Sequence, residues 1–166
     1  MGTLIRKFIL KMGITYLKGD ATNPCTKDTK DTKNTNIIIH ICNNIGAWGA
    51  GFVLAISKKW KKPEISYKNL GNYHMGEIEM VQVEHNTYII NMIAQDGIGY
   101  TDKCRVSYTD LKTCLKKVNC NIKALPNVSV HMPRIGCGLG GGKWDTVEQI
   151  IKDELCEIPV YVYDLK

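Results

Sequence analysis

No apolar run in this 166-residue chain approaches the ~20 residues a membrane-spanning helix needs, so no transmembrane segment is expected. The N-terminus, Met1-Gly2-Thr3-Leu4-Ile5-Arg6, lacks the Ser or Thr that a myristoylation signal carries at position six. Arg6, Lys7 and Lys11 break the apolar stretch that a secretory signal requires. The pattern Cys-x-x-Cys does not occur. The seven cysteines (Cys25, Cys42, Cys104, Cys114, Cys120, Cys137 and Cys156) are odd in number, and several fall within apolar runs. They read as reduced, small core hydrophobes rather than a disulfide framework or a zinc site. No aromatic-basic RNA signature, zinc-finger spacing or internal repeat is present, and no linker divides the chain. These absences leave a soluble, intracellular, cytoplasmic protein (nuclear, if the source is eukaryotic), expected as a monomer and one domain over residues 1–166.

What is present is the ordinary globular mixture, 44% hydrophobic and 23% charged residues. Twenty-two Lys and Arg against 16 Asp and Glu give a net charge of +6, a field that favours anionic ligands without naming one. Leu4–Leu10 and Gly13–Lys18 read as strands. Residues Thr26–Asn36 (TKDTKDTKNTN) are polar and repetitive and read as an exposed loop. Ile37–Cys42 is a continuous apolar run, the pattern of a strand covered on both faces. Ala50–Trp60 has helical spacing and ends in a lysine-rich turn before Pro63. Ile78–Glu84 and Tyr88–Ala94 form strands about a His85-Asn86 turn. A helix is expected from Tyr108 to Val118, a strand at Val128–Met132, a helix at Trp144–Leu155 and a last strand at Pro159–Leu165. Strands alternating with helices predict a layered α/β domain.

In such a domain, ligands collect where strand ends meet helix N-termini. Three features fall there. Gly19-Asp20 closes a strand, and alone it reads as a turn. Asn43-Asn44-Ile45-Gly46-Ala47-Trp48-Gly49-Ala50-Gly51-Phe52 leads from the buried strand into the first helix. Met132-Pro133-Arg134-Ile135-Gly136-Cys137-Gly138-Leu139-Gly140-Gly141-Gly142-Lys143-Trp144 makes a second strand-to-helix passage. Neither matches Gly-x-x-x-x-Gly-Lys-Ser/Thr or a clean Gly-x-Gly-x-x-Gly. Two glycine-rich junctions of this kind can wrap main-chain N–H groups around an anion, which points to a diphosphate gripped from both sides.

With Thr15–Asp20, His40–Asn43, Trp48–Gly51, His131–Leu139, Trp144 and Val160–Tyr163, the chain resembles a macrodomain over nearly its whole length. It is most similar to the branch holding the terminal ADP-ribose protein glycohydrolase and the yeast ADP-ribose-1″-phosphate phosphatase. Bacterial and viral relatives share Asn91–Gln95. The resemblance implies a macrodomain-like three-layer α/β/α sandwich with a mixed central sheet. It also implies a site for ADP-ribose, with Asp20 and Ala21 at the adenine and Tyr163 bordering it. Gly49, Ala50, Gly51 and Phe52 would form one phosphate loop, and Ile135, Gly136, Cys137, Gly138, Leu139, Gly140 and Gly141 the other. Asn43 would contact the distal ribose, which Trp48 could border.

The glycohydrolase of that branch uses a lysine nucleophile and an aspartate; Gln95 and Gly140 stand in their places, and neither Lys103 nor Lys143 is at the matching position. A lysine-adduct mechanism is therefore not expected. Candidates for chemistry by a bound water are Asp96, His40, Asn43 and Gln95. Asp96 reads equally as a turn residue before Gly97, and His40 as a hydrogen-bonded core histidine. Arg134 and His131 read as structural, and the Lys58, Lys59, Lys61, Lys62 run as a solvated helix end. The expectation is a mono-ADP-ribosyl hydrolase acting on acidic residues of ADP-ribosylated protein, or on modified nucleic acid, with no cofactor and no metal. A reader that binds without cleaving and an ADP-ribose-1″-phosphate phosphatase are the alternatives.

Overall fold

The computed structural model describes residues 11–26, 32–99 and 101–166. Ten elements follow in chain order: β1 (Ile14–Lys18), β2 (Thr35–Asn43), α1 (Phe52–Lys59), α2 (Lys62–Lys68), β3 (Ile78–Glu84), β4 (Thr87–Gln95), α3 (Tyr108–Ile122), β5 (Val128–Met132), α4 (Trp144–Glu154) and β6 (Val160–Asp164). The strands form one mixed sheet in the order β1-β6-β5-β2-β4-β3. All neighbours are parallel except the β3–β4 hairpin.

β2 lies between β5 and β4, and its apolar run alternates between two cores. Ile37 and Ile39 pack with Leu111, Leu115, Val147 and Ile151 of α3 and α4. Ile38 and Cys42 pack with Val53, Ile56 and Tyr67 of α1 and α2. A helical layer thus covers each face, giving a three-layer α/β/α sandwich. Ile37, Ile38 and Ile39 are fully buried, and each contributes roughly 1.5–3 kcal/mol relative to exposure.

The parallel strands place four turns on one edge of the sheet: residues 19–26 after β1, 44–51 after β2, 96–99 and 101–107 after β4, and 133–143 after β5. α3 opens with a cap in which Ser107 Oγ accepts from Asp110 N.

Several expectations need correction. α1 ends at Lys59, ahead of Pro63 as expected, but a second helix, α2, follows unanticipated; Pro63 sits in its first turn, where its missing N–H has no partner to lose. Thr35 and Asn36 belong to β2 and are buried, with Thr35 Oγ1 donating to Pro126 O and Asn36 N to Asn86 O. α3 continues past Val118 to the buried Ile122, the next residue on its apolar face. All seven cysteines are free, but only Cys42 and Cys114 are buried, while Cys25, Cys104 and Cys120 are exposed. The expected strand at Leu4–Leu10 and the centre of the Thr26–Asn36 segment lie outside the described residues.

Candidate functional site

The turns after β2 and β5 face each other across a cleft with two connected compartments. The first, about 250 Å³, lies between residues 50–53 and 133–140, with His40 and Ile41 of β2 on its wall. The second, about 700 Å³, runs past Asn43 and Gln95 to Ile98, Gly99, Thr101 and Lys103. Ile41, Ala50, Val53, Gln95, Gly138 and Leu139 border both.

The near wall is the start of α1. Its N-cap, Gly51, has φ +78° and ψ −147°, a conformation open to glycine and costly for other residues. No side chain caps the helix, and whereas the first turns of α2, α3 and α4 each hold an acidic residue, that of α1 holds none. Among the described residues, no protein acceptor takes the main-chain N–H of residues 49–53. The positive end of α1 therefore faces the cleft without a neutralising group.

The far wall is a closed loop in which Gly142 N donates to Gly136 O at 2.7 Å and Gly141 N to Gly138 O at 3.1 Å. The N–H groups of Gly136, Gly138, Leu139 and Gly140 have no protein acceptor among the described residues. Two arrays of main-chain donors thus border one recess, an arrangement suited to an anion. Arg134 is turned to structural use. Nε and Nη2 grip Asp164 at 2.7 and 3.0 Å, and the guanidinium lies 5.1 Å from the Tyr16 ring and 5.2 Å from the Trp144 ring.

Other named residues spend their polar groups on the site's own framework, and of these Asn43 and Gln95 also line it. Trp48 is buried: its indole N–H donates to Ser57 Oγ, and its ring lies 5.4 Å from both His40 and Tyr67. Asn43, on the wall of the larger compartment, spends its amide on its own turn. Oδ1 accepts from Ile45 N, Ala47 N and Tyr67 Oη, while Nδ2 donates to Ala47 O. Asp96 is exposed on the following turn and accepts from Asn44 Nδ2 at 3.0 Å. Gln95 Nε2 donates to Gly97 O. Cys137 turns its thiol to Ile135 O, and burial raises its pKa.

His40 is buried, and its Nε2 meets Asn91 Oδ1, whose Nδ2 donates to Glu79 Oε1 at 2.8 Å and Pro63 O at 3.3 Å. Because both partners of Nδ2 are acceptors, Asn91 Oδ1 must accept, and His40 carries its proton on Nε2. Burial lowers its pKa to about 4.

Asp20, Ala21 and Tyr163 lie apart from both compartments. Asp20 Oδ1 accepts from Thr22 N at 2.8 Å and Thr22 Oγ1 at 2.9 Å. Ala21 and Tyr163 are buried, with Tyr163 Oη 2.9 Å from Cys25 N and 2.8 Å from His131 Nδ1. Sequence reasoning missed the wall formed by Ile98, Gly99, Thr101 and Lys103. No motif marks it, because tertiary bonds such as Arg105 N to Gly140 O bring it over the cleft.

No protein-family model matches the chain; the likeness lies with individual proteins. A macrodomain protein from Streptomyces coelicolor is 39% identical at a TM-score of 0.74, the match covering 91% of this chain and 98% of that one. The chain belongs to the macrodomain family. A Bacteroides thetaiotaomicron protein of unknown function is 48% identical at a TM-score of 0.83 over 93% and 99% of the two chains. Among curated proteins, an ADP-ribose 1″-phosphate phosphatase from Lodderomyces elongisporus is 25% identical to this macrodomain over 92% of the chain and all of the relative. An ADP-ribose glycohydrolase from Bos taurus is 26% identical over 92% and 91% of the two.

Proposed function

We propose that this macrodomain binds ADP-ribose and hydrolyses its linkage to an acidic protein side chain, or to nucleic acid, with a bound water as the attacking group. The observation that carries the reading is the recess between two arrays of main-chain N–H groups that have no protein acceptor among the described residues, one at the start of α1. The diphosphate would lie there, gripped by residues 49–53 and 135–141. The distal ribose would extend into the larger compartment beside Asn43 and Gln95, and Asp20 would take the adenine amino group beside Ala21 and Tyr163. The named relatives act on ADP-ribose linkages, one as a phosphatase and one as a glycohydrolase, which supports this ligand class.

In the proposed reaction the water oxygen bonds to C1″ while the ester C–O bond breaks and the carboxylate leaves with the electron pair. The water's proton passes to a diphosphate oxygen or to solvent. Gln95 stands on the walls of both compartments, where its amide can orient the water. Asn43 supports the ribose by fixing the turn it belongs to, and Asp96 contributes through the adjoining turn. The exposed Cys25, Cys104 and Cys120 are free thiols, which suits a reducing, intracellular setting. The chain would act as a monomer over residues 1–166.

Incubation with an auto-ADP-ribosylated transferase carrying ester-linked label tests the reading. Release of free ADP-ribose is expected, and retention of all label at stoichiometric protein rejects hydrolysis. The replacement of the lysine and aspartate by Gln95 and Gly140 favours a second reading, a module that binds without cleaving; tight calorimetric binding with no turnover on any linkage would select it. Phosphatase action receives less support, because His40 is neutral and its Nε2 proton is held by Asn91.

A further inference from the structure

The lysine run that closes α1 and opens α2 divides into separate tasks. Lys62 Nζ donates to Gln82 O at 3.0 Å and ties α2 to β3. Lys59 reaches elsewhere. Its Nζ donates to Thr22 O at 2.6 Å and Asn23 Oδ1 at 3.0 Å, and it sits 4.4 Å from the centroid of the Trp60 ring. Thr22 and Asn23 form the turn that holds Asp20: Thr22 donates twice to Asp20 Oδ1, and Asn23 N donates to Asp20 O.

The other anchors of residues 19–26 lead to the sheet. Gly19 N donates to Asp164 O, Cys25 N to Tyr163 Oη, and Thr26 Oγ1 meets Ser129 Oγ and His131 Nε2. Among the described residues, Lys59 alone joins this turn to α1 by hydrogen bonds. α1 spans about 12 Å, and its opposite end carries the first loop of the cleft.

We infer that Lys59 is a positioning residue for nucleobase recognition: it locks the Asp20 turn to the helix that presents the phosphate-facing N–H groups. The inference rests on the proposed placement of ADP-ribose. One ammonium bridging two oxygens of a single turn fixes the span between the base-reading carboxylate and the diphosphate site without touching either end of the ligand. Without Lys59, the hydrogen bonds that hold the turn among the described residues come from the sheet side. Asp20 then loses its register with the base edge while the phosphate loops remain intact. A charge-assisted hydrogen bond is directional, so a small displacement at Asp20 weakens base selection first.

The test is calorimetry on the wild-type chain, Lys59→Met and Lys59→Arg with two ligands: ADP-ribose, and its hypoxanthine counterpart, in which a carbonyl replaces the amino group. The wild type is expected to prefer ADP-ribose by about tenfold or more, the scale of a hydrogen bond to a charged group. Lys59→Met is expected to reduce that preference to about two- or threefold while binding the hypoxanthine ligand as before. Lys59→Arg recovers part of it, since a guanidinium can also donate to both oxygens. An unchanged preference in Lys59→Met, an equal loss for both ligands, or a wild type that does not discriminate each overturns the inference while leaving ADP-ribose binding standing. A wild type that binds neither ligand overturns the proposed function itself.

Discussion

Gln95 and Gly140 are packed against each other at the junction of the two compartments: a Cβ built on Gly140 would stand 3.1 Å from Gln95 Oε1. The same Cβ would meet Val106 Cγ2 at 2.7 Å and Gly136 O at 3.0 Å. The residues at positions 95 and 140 are therefore coupled through packing. With Gln95 and Val106 filling this space, an aspartate has no room at position 140. Gly140→Ala should lower stability by about 1–3 kcal/mol through overpacking, read by thermal or denaturant unfolding. A melting curve superimposable on the wild type would contradict the packing.

At Gly51 the constraint is conformational, since no atom lies within 4 Å of a built Cβ. Gly51→Ala should destabilise the chain by roughly 1–3 kcal/mol, the cost of holding a Cβ residue in that backbone region. If the N–H groups beside it hold a phosphate, ADP-ribose affinity should fall by about another 1–2 kcal/mol. Calorimetry on the folded variant with undiminished affinity would move the diphosphate away from α1.

Asp20 supports its turn and, in the proposed complex, reads the base. Asp20→Ala removes both and should weaken ADP-ribose binding by ~1–3 kcal/mol, the scale of a lost charge-assisted hydrogen bond. Asp20→Asn keeps an oxygen for Thr22, so its loss isolates the ligand contact. Unchanged affinity in both variants would place the adenine elsewhere.

Two buried histidines set a pH dependence. Burial lowers the pKa of His40 and His131 to about 4, against 6.5 for the free side chain. Between these values the unfolded chain binds more protons than the folded one, so stability is complete above pH 6.5 and falls as pH drops toward 4. Each histidine contributes on the order of 3 kcal/mol across that window. The carboxylates of Glu64, Glu77, Glu148 and Asp164, lowered chiefly by bonds to Lys68, Lys117, Lys152 and Arg134, lose their contribution only at lower pH. Stability measured from pH 7 to 5 should decline in the wild type and be flatter in His131→Gln. A flat wild-type profile would contradict neutral burial.

What was legible in the sequence was local. The Ile37–Cys42 run, the Val128–Met132 strand and the two glycine-rich junctions announce themselves through spacing and backbone chemistry confined to a few residues. What was hidden depends on distant partners. Thr35 and Asn36 are polar in sequence yet buried, because Pro126 and Asn86 supply their hydrogen bonds. Asn91 looks out of place in an apolar strand until His40 and Glu79 appear opposite it in register on β2 and β3. Pro63 is ambiguous by nature, able to stop one helix or open the next. Lys103 reaches the cleft wall because the turn after β4 folds over the β5 loop, which no local pattern encodes.

The most direct measurement is a crystal structure of the chain with ADP-ribose. The diphosphate should be held by main-chain N–H groups from both residues 49–53 and 135–141, with the distal ribose beside Gln95. A diphosphate bound by one of these loops alone, or outside the space between them, would contradict the assignment.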